Sequence, residues 1–149
     1  MAVMRSIVIL LAALLMPVVV GAAEGVTVTD AWARASPPGV TKSAVYFRLS
    51  LASDAPNDRL VGVVAPKRGE ASLHATVSEG GQTRMQALEA VAIPSDGAVA
   101  FEPGGRHVMV TGLEEPLAAG DELRLVLRFE QTGERALAIP VRPVTASGP

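Results

Sequence analysis

The chain has no cysteine among its 149 residues, and it has few of the other side chains on which most catalytic and metal sites depend. It contains two histidines, one tryptophan, one tyrosine and three phenylalanines. Without thiols there is no disulfide framework and no thiolate site. With two histidines and no nucleophile motif, nucleophilic catalysis has little to build on. We therefore predict that the protein is not an enzyme.

Only the N-terminus has a long apolar run. Arg5 is followed by apolar residues from Ile7 to Val20 and then by the small residues of 21–23. This order is typical of a secretory signal peptide, and the run is short for a bilayer-spanning helix. We expect residues 1–23 to be removed, so that the exported protein has no stable membrane anchor.

Positive charge is also scarce. The net charge is −2, and it becomes −3 when Arg5 leaves with the predicted signal peptide. A mildly acidic surface argues against nucleic acid or anionic lipid as a partner.

The remaining sequence consists of short extended segments separated by Gly, Pro, Asp and Ser. The segment "ELRLVLRF" alternates, with Leu123, Leu125, Leu127 and Phe129 on one face and Arg124, Val126 and Arg128 on the other. Many short strands with frequent turns predict an all-β fold, either a β-sandwich or a Greek-key barrel. We expect one domain over residues 24–143 and a disordered tail over 144–149. The segment 112–123 could contain one turn of helix. The predicted strands are Val26 to Thr29, Ala44 to Leu51, Leu60 to Val64, Ala71 to Val77, Thr83 to Leu88, Ala98 to Phe101, His107 to Thr111, Glu122 to Glu130 and Arg135 to Val141.

Both histidines and both methionines of the predicted domain fall within 36 residues. They are His74, Met85, His107 and Met109. Residues two apart on a strand leave the same face, so His107 and Met109 point the same way. If the hairpin after His74 turns symmetrically about the Glu79–Gly80 bond, His74 and Met85 are direct cross-strand neighbours. The two pairs then form a metal site wherever their strands meet.

Two imidazoles and two thioethers select one kind of metal. Soft thioethers favour Cu(I), whereas Zn²⁺ favours thiolate, imidazole or carboxylate, and Ca²⁺ and Mg²⁺ favour oxygen. A blue-copper electron-transfer centre is excluded because it needs a cysteine. The sequence therefore predicts a Cu(I) site.

The spacing of these four residues, H-x10-M-x21-H-x-M, resembles that of the PCuAC family of periplasmic copper chaperones. The similarity extends over nearly all of the predicted domain, including "DAWARASPPG", "LHATVSEGGQTRMQAL" and "FEPGGRHVMVTGLEEPLAAGDELRLVLRFE". The resemblance implies a cupredoxin-like β-barrel, a periplasmic location and delivery of Cu(I) to a copper-acceptor protein. That acceptor would be a cytochrome c oxidase subunit or a Sco-type protein. Some relatives carry a His- and Met-rich C-terminal tail that this sequence lacks, which argues against a second, Cu(II) site.

Two other functions are compatible with the same residues. A copper buffer or tolerance protein would have the same site without a dedicated acceptor. A β-sandwich interaction module would take up no metal.

Some conspicuous residues are expected to serve structure alone. Trp32 should pack at the edge of the core. Asp58 and Arg59 should serve a turn, and the "EPGG" turn should hold the strand of His107 in place.

Overall fold

The computed structural model describes residues 25–149, and the predicted signal peptide, 1–23, lies outside them. The described chain forms ten β-strands. They are β1 (Val26–Arg34), β2 (Lys42–Leu51), β3 (Asp58–Val64), β4 (Glu70–Glu79), β5 (Gln82–Leu88), β6 (Val91–Ile93), β7 (Ala98–Phe101), β8 (Arg106–Thr111), β9 (Glu122–Phe129) and β10 (Gly133–Arg142). The all-β prediction is confirmed.

The strands form two packed sheets that are joined at one corner. One sheet has the order β5-β4-β8-β7-β2-β1, in which β8 also pairs with β2, and the other has the order β10-β9-β3-β6. The join is a short parallel pairing of β1 with β10 at Ala33 and Arg34. The result is a nearly closed barrel, which agrees with the sandwich or Greek-key barrel predicted from the strand pattern.

The core lies between the sheets and is built from strands in which buried residues alternate with exposed ones. In β9 the four apolar residues predicted to share a face are all buried, with exposed fractions of 4% or less. The facing sheet contributes Val45, Phe47 and Leu49 from β2 and Val108 and Val110 from β8. Because buried residues alternate with outward ones along β8, the residues between them lie on the outer face of the barrel.

The predicted strands agree with the observed bounds to within two residues at each end, except for two elements. β1 continues to Arg34 because a bulge between Thr29 and Trp32 lets the pairing with β2 resume. Asp30 within that bulge has a φ of 55°. β6 was missed because its three residues are too few to show a period.

The segment 112–121 contains no helix in the described structure. It forms a loop in which the Asp121 carboxylate accepts a hydrogen bond from the Ala118 backbone N–H at 3.0 Å. The Asp121 backbone N–H also donates a hydrogen bond to the Ala118 carbonyl, which closes the turn. Residues 25–149 contain no helix that is long and apolar enough to cross a membrane.

Asp58 connects β3 to the turn between β9 and β10. Its buried carboxylate accepts hydrogen bonds from the backbone N–H groups of Arg59, Gln131 and Thr132 and from the Thr132 hydroxyl, at 2.8–3.1 Å. Burial alone would raise the pKa of Asp58, but these hydrogen bonds outweigh it and lower the pKa below its ordinary value. The expected role in a turn is confirmed.

The segment after β10 runs back along the barrel. The Arg34 guanidinium donates a hydrogen bond to the Ala146 carbonyl at 3.2 Å. Ser147, Gly148 and Pro149 line a hollow together with Trp32, which is 2% exposed. The domain bounds and the disorder expected for residues 144–149 stay predictions.

Candidate metal centre

The candidate site is built on three neighbouring strands, β5, β4 and β8. His74 of β4 is the direct cross-strand partner of His107 in β8. Met109 lies two residues beyond His107, opposite Ser72 of β4 and Ala44 of β2. Cross-strand partners share a face, so both histidines and Met109 lie together on the outer face, opposite the core.

The predicted pairing of His74 with Met85 is wrong by two residues. His74 is paired with Ala87, and Met85 is paired with Thr76. The turn is centred on Gly80 and Gly81, whose φ angles are 60° and 78°. Positive φ at both central residues is what a two-residue type I′ hairpin turn requires, and glycine supplies it without strain.

The shift in register leaves Met85 on the predicted face. Residues two apart on a strand point the same way, so a displacement of two keeps side chains on the same side. Met85 is therefore a diagonal neighbour of His74 rather than a direct one. It is 59% exposed, whereas His107 is 4% exposed.

The two imidazoles lie close together. Their ring centroids are 5.9 Å apart and the ring planes are inclined by 43°. Nδ1 of His107 lies 3.1 Å from the Gly105 carbonyl oxygen, which can only accept a hydrogen bond. Nδ1 must therefore donate, which in the neutral ring leaves the lone pair on Nε2.

His74 presents the opposite ring nitrogen. Its Nε2 lies 3.0 Å from the hydroxyl oxygen of Ser72, two residues earlier on the same face. Nδ1 of His74 and Nε2 of His107 are both buried and find no hydrogen-bond partner among residues 25–149. Buried polar atoms are normally paired, so two unpaired ring nitrogens on facing strands fit a site for a ligand.

The two methionines lie near the histidines in the strand register, since Met109 is two residues after His107 and Met85 is diagonal to His74. Met85 and Met109 line the same surface hollow of about 430 Å³. Within the described residues no three His, Cys, Asp or Glu side chains form a metal-binding group. The thioethers of Met85 and Met109 are the soft donors on the same face as the two imidazoles, and such a set would suit a soft cation.

Sequence analysis missed Ser72 as a partner of the site. The sequence could have revealed it, because residues two apart on a strand share a face and Ser72 lies two positions before His74. The "EPGG" turn was expected to hold the strand of His107. Its Gly105 carbonyl accepts hydrogen bonds both from the His107 ring and from the Thr76 backbone N–H at 3.1 Å. One turn therefore connects β8 to β4.

A family model described as "Putative lipoprotein LpqE-like" matches residues 26–141. The chain belongs to the LpqE-like family. One relative is the putative lipoprotein Lxx21020 of Leifsonia xyli subsp. xyli. It is 31% identical to this chain over 121 residues, which cover 80% of this chain and 71% of that protein.

Solved structures of similar fold agree with this membership. The copper-bound PCuAC domain of PmoF2 superposes with a TM-score of 0.67 at 24% identity, over 83% of this chain and 97% of that one. The Cu(I) form of DR1885 from Deinococcus radiodurans superposes with a TM-score of 0.60 at 30% identity, over 80% of this chain and 81% of that one. This LpqE-like chain thus has the PCuAC fold, and the resemblance found in its sequence is confirmed.

Proposed function

We propose that this protein is a metallochaperone that binds one Cu(I) through His74, Met85, His107 and Met109 and passes it to an acceptor protein. One observation carries the proposal. Two buried imidazole nitrogens without partners among residues 25–149 lie on directly paired strands, beside a hollow lined by both methionines.

The donor set suits a metal that must be released. Thioethers are neutral and soft, so they favour Cu(I) over Zn²⁺, Ca²⁺ or Mg²⁺. A weak donor can be replaced singly, which lets copper pass to a new ligand without existing as a bare ion. Four protein donors leave no open position for a substrate, so the site is proposed for carriage rather than for catalysis.

The cellular setting belongs to the same proposal. The signal-like order of residues 1–23 supports export, and we propose that the protein works in the periplasm. The acceptor is proposed to be a cytochrome c oxidase subunit or a Sco-type protein. The copper-bound structures of similar fold support copper as the cargo.

A Cu(I) titration against a chromophoric Cu(I) chelator tests the site. We expect one equivalent of tightly held Cu(I), weakened in Met85→Leu and in His107→Ala. Leucine keeps the bulk of methionine but removes the sulfur donor. Gln86→Ala is the matched control, because Gln86 is also exposed on β5 and points to the other face. Undiminished affinity in both site variants would refute the assignment.

A copper buffer would bind Cu(I) equally well but would have no dedicated acceptor. Mixing the loaded protein with an apo copper-centre domain of cytochrome c oxidase separates the two functions. Rapid transfer supports a chaperone, and retention of copper supports a buffer. An interaction module would show no stoichiometric copper and no response to His107→Ala.

A further inference from the structure

The hollow beside the two methionines extends well beyond them. Its apolar lining includes Pro37 and Val40 from the loop after β1, Ala44 of β2 and Val144 after β10. We call this surface, with Met85 and Met109, the thioether hollow. It thus joins four separate parts of the chain around the sulfur side of the proposed copper site.

The thioether hollow is unusually apolar for an exposed surface. Only three large apolar side chains in the described part of the chain are strongly exposed, namely Val61, Met85 and Val144. Two of the three line this hollow. Exposed apolar side chains that cluster in one concavity, rather than scatter singly, mark a site of contact with another molecule.

The charge of the hollow differs from that of the protein. Its charged lining residues are Arg34 and Lys42, and none of the described residues that line it is acidic. The whole chain has a net charge of −2. A cationic rim on an anionic protein attracts an acidic partner to this one face.

Arg34 is held firmly at the rim. Its guanidinium lies 5.8 Å from the centroid of the Trp32 ring and 5.6 Å from that of Tyr46, within the range of cation–π attraction. It also donates to the Ala146 carbonyl. Lys42 is exposed and has no such anchor among the described contacts, so it is the cation that is free to meet a partner.

The proposed copper site opens to this hollow through its methionines, since Met85 and Met109 line the hollow and neither histidine does. His107 is 4% exposed and the unpaired ring nitrogens are buried, whereas Met85 is 59% exposed. An incoming donor therefore reaches bound Cu(I) from the side of Met85.

We propose that the thioether hollow is the docking surface for the copper acceptor, a protein segment whose Cu(I) donors are flanked by Asp or Glu side chains. This inference rests on the proposed function. A coordination bond forms from the incoming donor to Cu(I), and the bond from the Met85 sulfur breaks. Copper stays Cu(I), and neither an electron nor a proton is transferred.

Two synthetic peptides of equal length test the surface. Each has a central pair of methionines, flanked by glutamates in one peptide and by lysines in the other. Amide NMR shifts of the copper-free protein are recorded with each peptide. We expect the acidic peptide to shift residues 35–44, Met85, Met109 and Val144. We also expect Lys42→Glu to weaken its binding about tenfold at low salt, and added salt to reduce that difference.

Arg124→Glu is the matched control, since it reverses an exposed charge on the outer face of β9, away from the hollow. Binding that is equal for both peptides, or equally weakened by Lys42→Glu and Arg124→Glu, would overturn the docking proposal. Shifts in the hollow that grow with protein concentration alone would assign it to a second copy of this chain and would also overturn it.

The transfer of Cu(I) to the same peptides distinguishes the two proposals. We expect faster transfer to the acidic peptide, with the preference lost in Lys42→Glu. Copper bound stoichiometrically but transferred at one rate to both peptides would refute the docking surface alone. Absence of copper binding, with the copper-free shifts intact, would refute the proposed function and leave a surface that selects acidic partners.

Discussion

Ser72 is the residue that decides which nitrogen His74 presents. Its hydroxyl lies 3.0 Å from Nε2, so Nδ1 is the nitrogen left without a partner among residues 25–149. When Nδ1 binds a metal, Nε2 must carry the proton and donate to the hydroxyl. We therefore predict that Ser72 positions the imidazole rather than touching the metal.

We expect Ser72→Ala to weaken Cu(I) binding by about tenfold, the lower end of the range for losing a hydrogen bond to a metal-ligating histidine. Chelator competition measures the affinity, and the ¹⁵N shifts of the imidazole measure the tautomer. Both should change together. A variant with altered affinity and an unaltered tautomer would contradict the positioning role.

Ser78→Ala provides the comparison on the same strand. The Ser78 hydroxyl forms a hydrogen bond with that of Thr83, 3.2 Å away near the hairpin turn, rather than with a histidine ring. Its replacement should leave both the copper affinity and the imidazole shifts unchanged.

The β4–β8 pair depends on Gly69, which enters β4 beside the end of β8. Its φ is 99°, and a Cβ built there would lie 2.1 Å from the Thr111 carbonyl oxygen. No side chain fits without moving the backbone. The clash lies two residues from Met109, on the strand pair that holds three of the four proposed ligands.

We expect Gly69→Ala to destabilise the protein by about 3 kcal/mol or more and to weaken Cu(I) binding, since the strained φ alone costs roughly 1–3 kcal/mol. Gly80→Ala is the control, because Gly80 also has a positive φ but no atom within 4 Å of its Cβ position. Urea unfolding and chelator competition measure the two effects. Equal losses in the two variants would contradict the contact with Thr111.

The β4–β5 hairpin shows how far sequence reasoning reaches. The period of two was enough to predict the face of His74, Met85, His107 and Met109. The exact register was not predictable from that period, because a shift of two residues preserves every face. The register depends on which residues of the turn take positive φ. The adjacent Gly80 and Gly81 are compatible with more than one position of the turn.

Other features lay beyond sequence reasoning for a different reason. The thioether hollow is formed by residues 34–44 from the end of β1 to the start of β2, by Met85 and Met109, and by Val144 after β10, and these four parts are distant in sequence. No local period connects them. The same holds for the direct pairing of His74 with His107, which follows only from the order of strands in the sheet.

Asp58 stabilises the joint between β3 and the β9–β10 turn in a way that depends on pH. Its folded-state pKa lies below the ordinary 3.8, so its contribution is complete above that value. The contribution is lost as pH falls through the lower, folded-state pKa. Protonation then removes the charge that the four hydrogen-bond donors stabilise.

We expect Asp58→Asn to lower the free energy of unfolding by roughly 3 kcal/mol near neutral pH, since it replaces a buried, charged acceptor. The difference from wild type should shrink below about pH 4, where the unfolded carboxyl is protonated. Urea denaturation at several pH values measures this, with the exposed Asp96→Asn as control. A difference independent of pH would contradict the ionised state of Asp58.

At the scale of the whole molecule, the proposed site predicts that copper binding and stability are linked. The four proposed donors come together only in the folded sheet, so Cu(I) should favour the folded state. At free Cu(I) one hundred times the dissociation constant, we expect a gain of about 2.7 kcal/mol. Calorimetry in a chelator-buffered Cu(I) solution measures it. A melting temperature unaffected by copper in the wild type, or equally raised in His107→Ala, would contradict the link.

The two faces of β8 have separate tasks. Val108 and Val110 are fully buried in the interior, while His107 and Met109 point away from it. If copper binds as proposed, its gain or loss acts on side chains that the interior does not use. We therefore expect loading and release to leave the core packing unchanged, and delivery to be limited by encounters with the acceptor rather than by refolding.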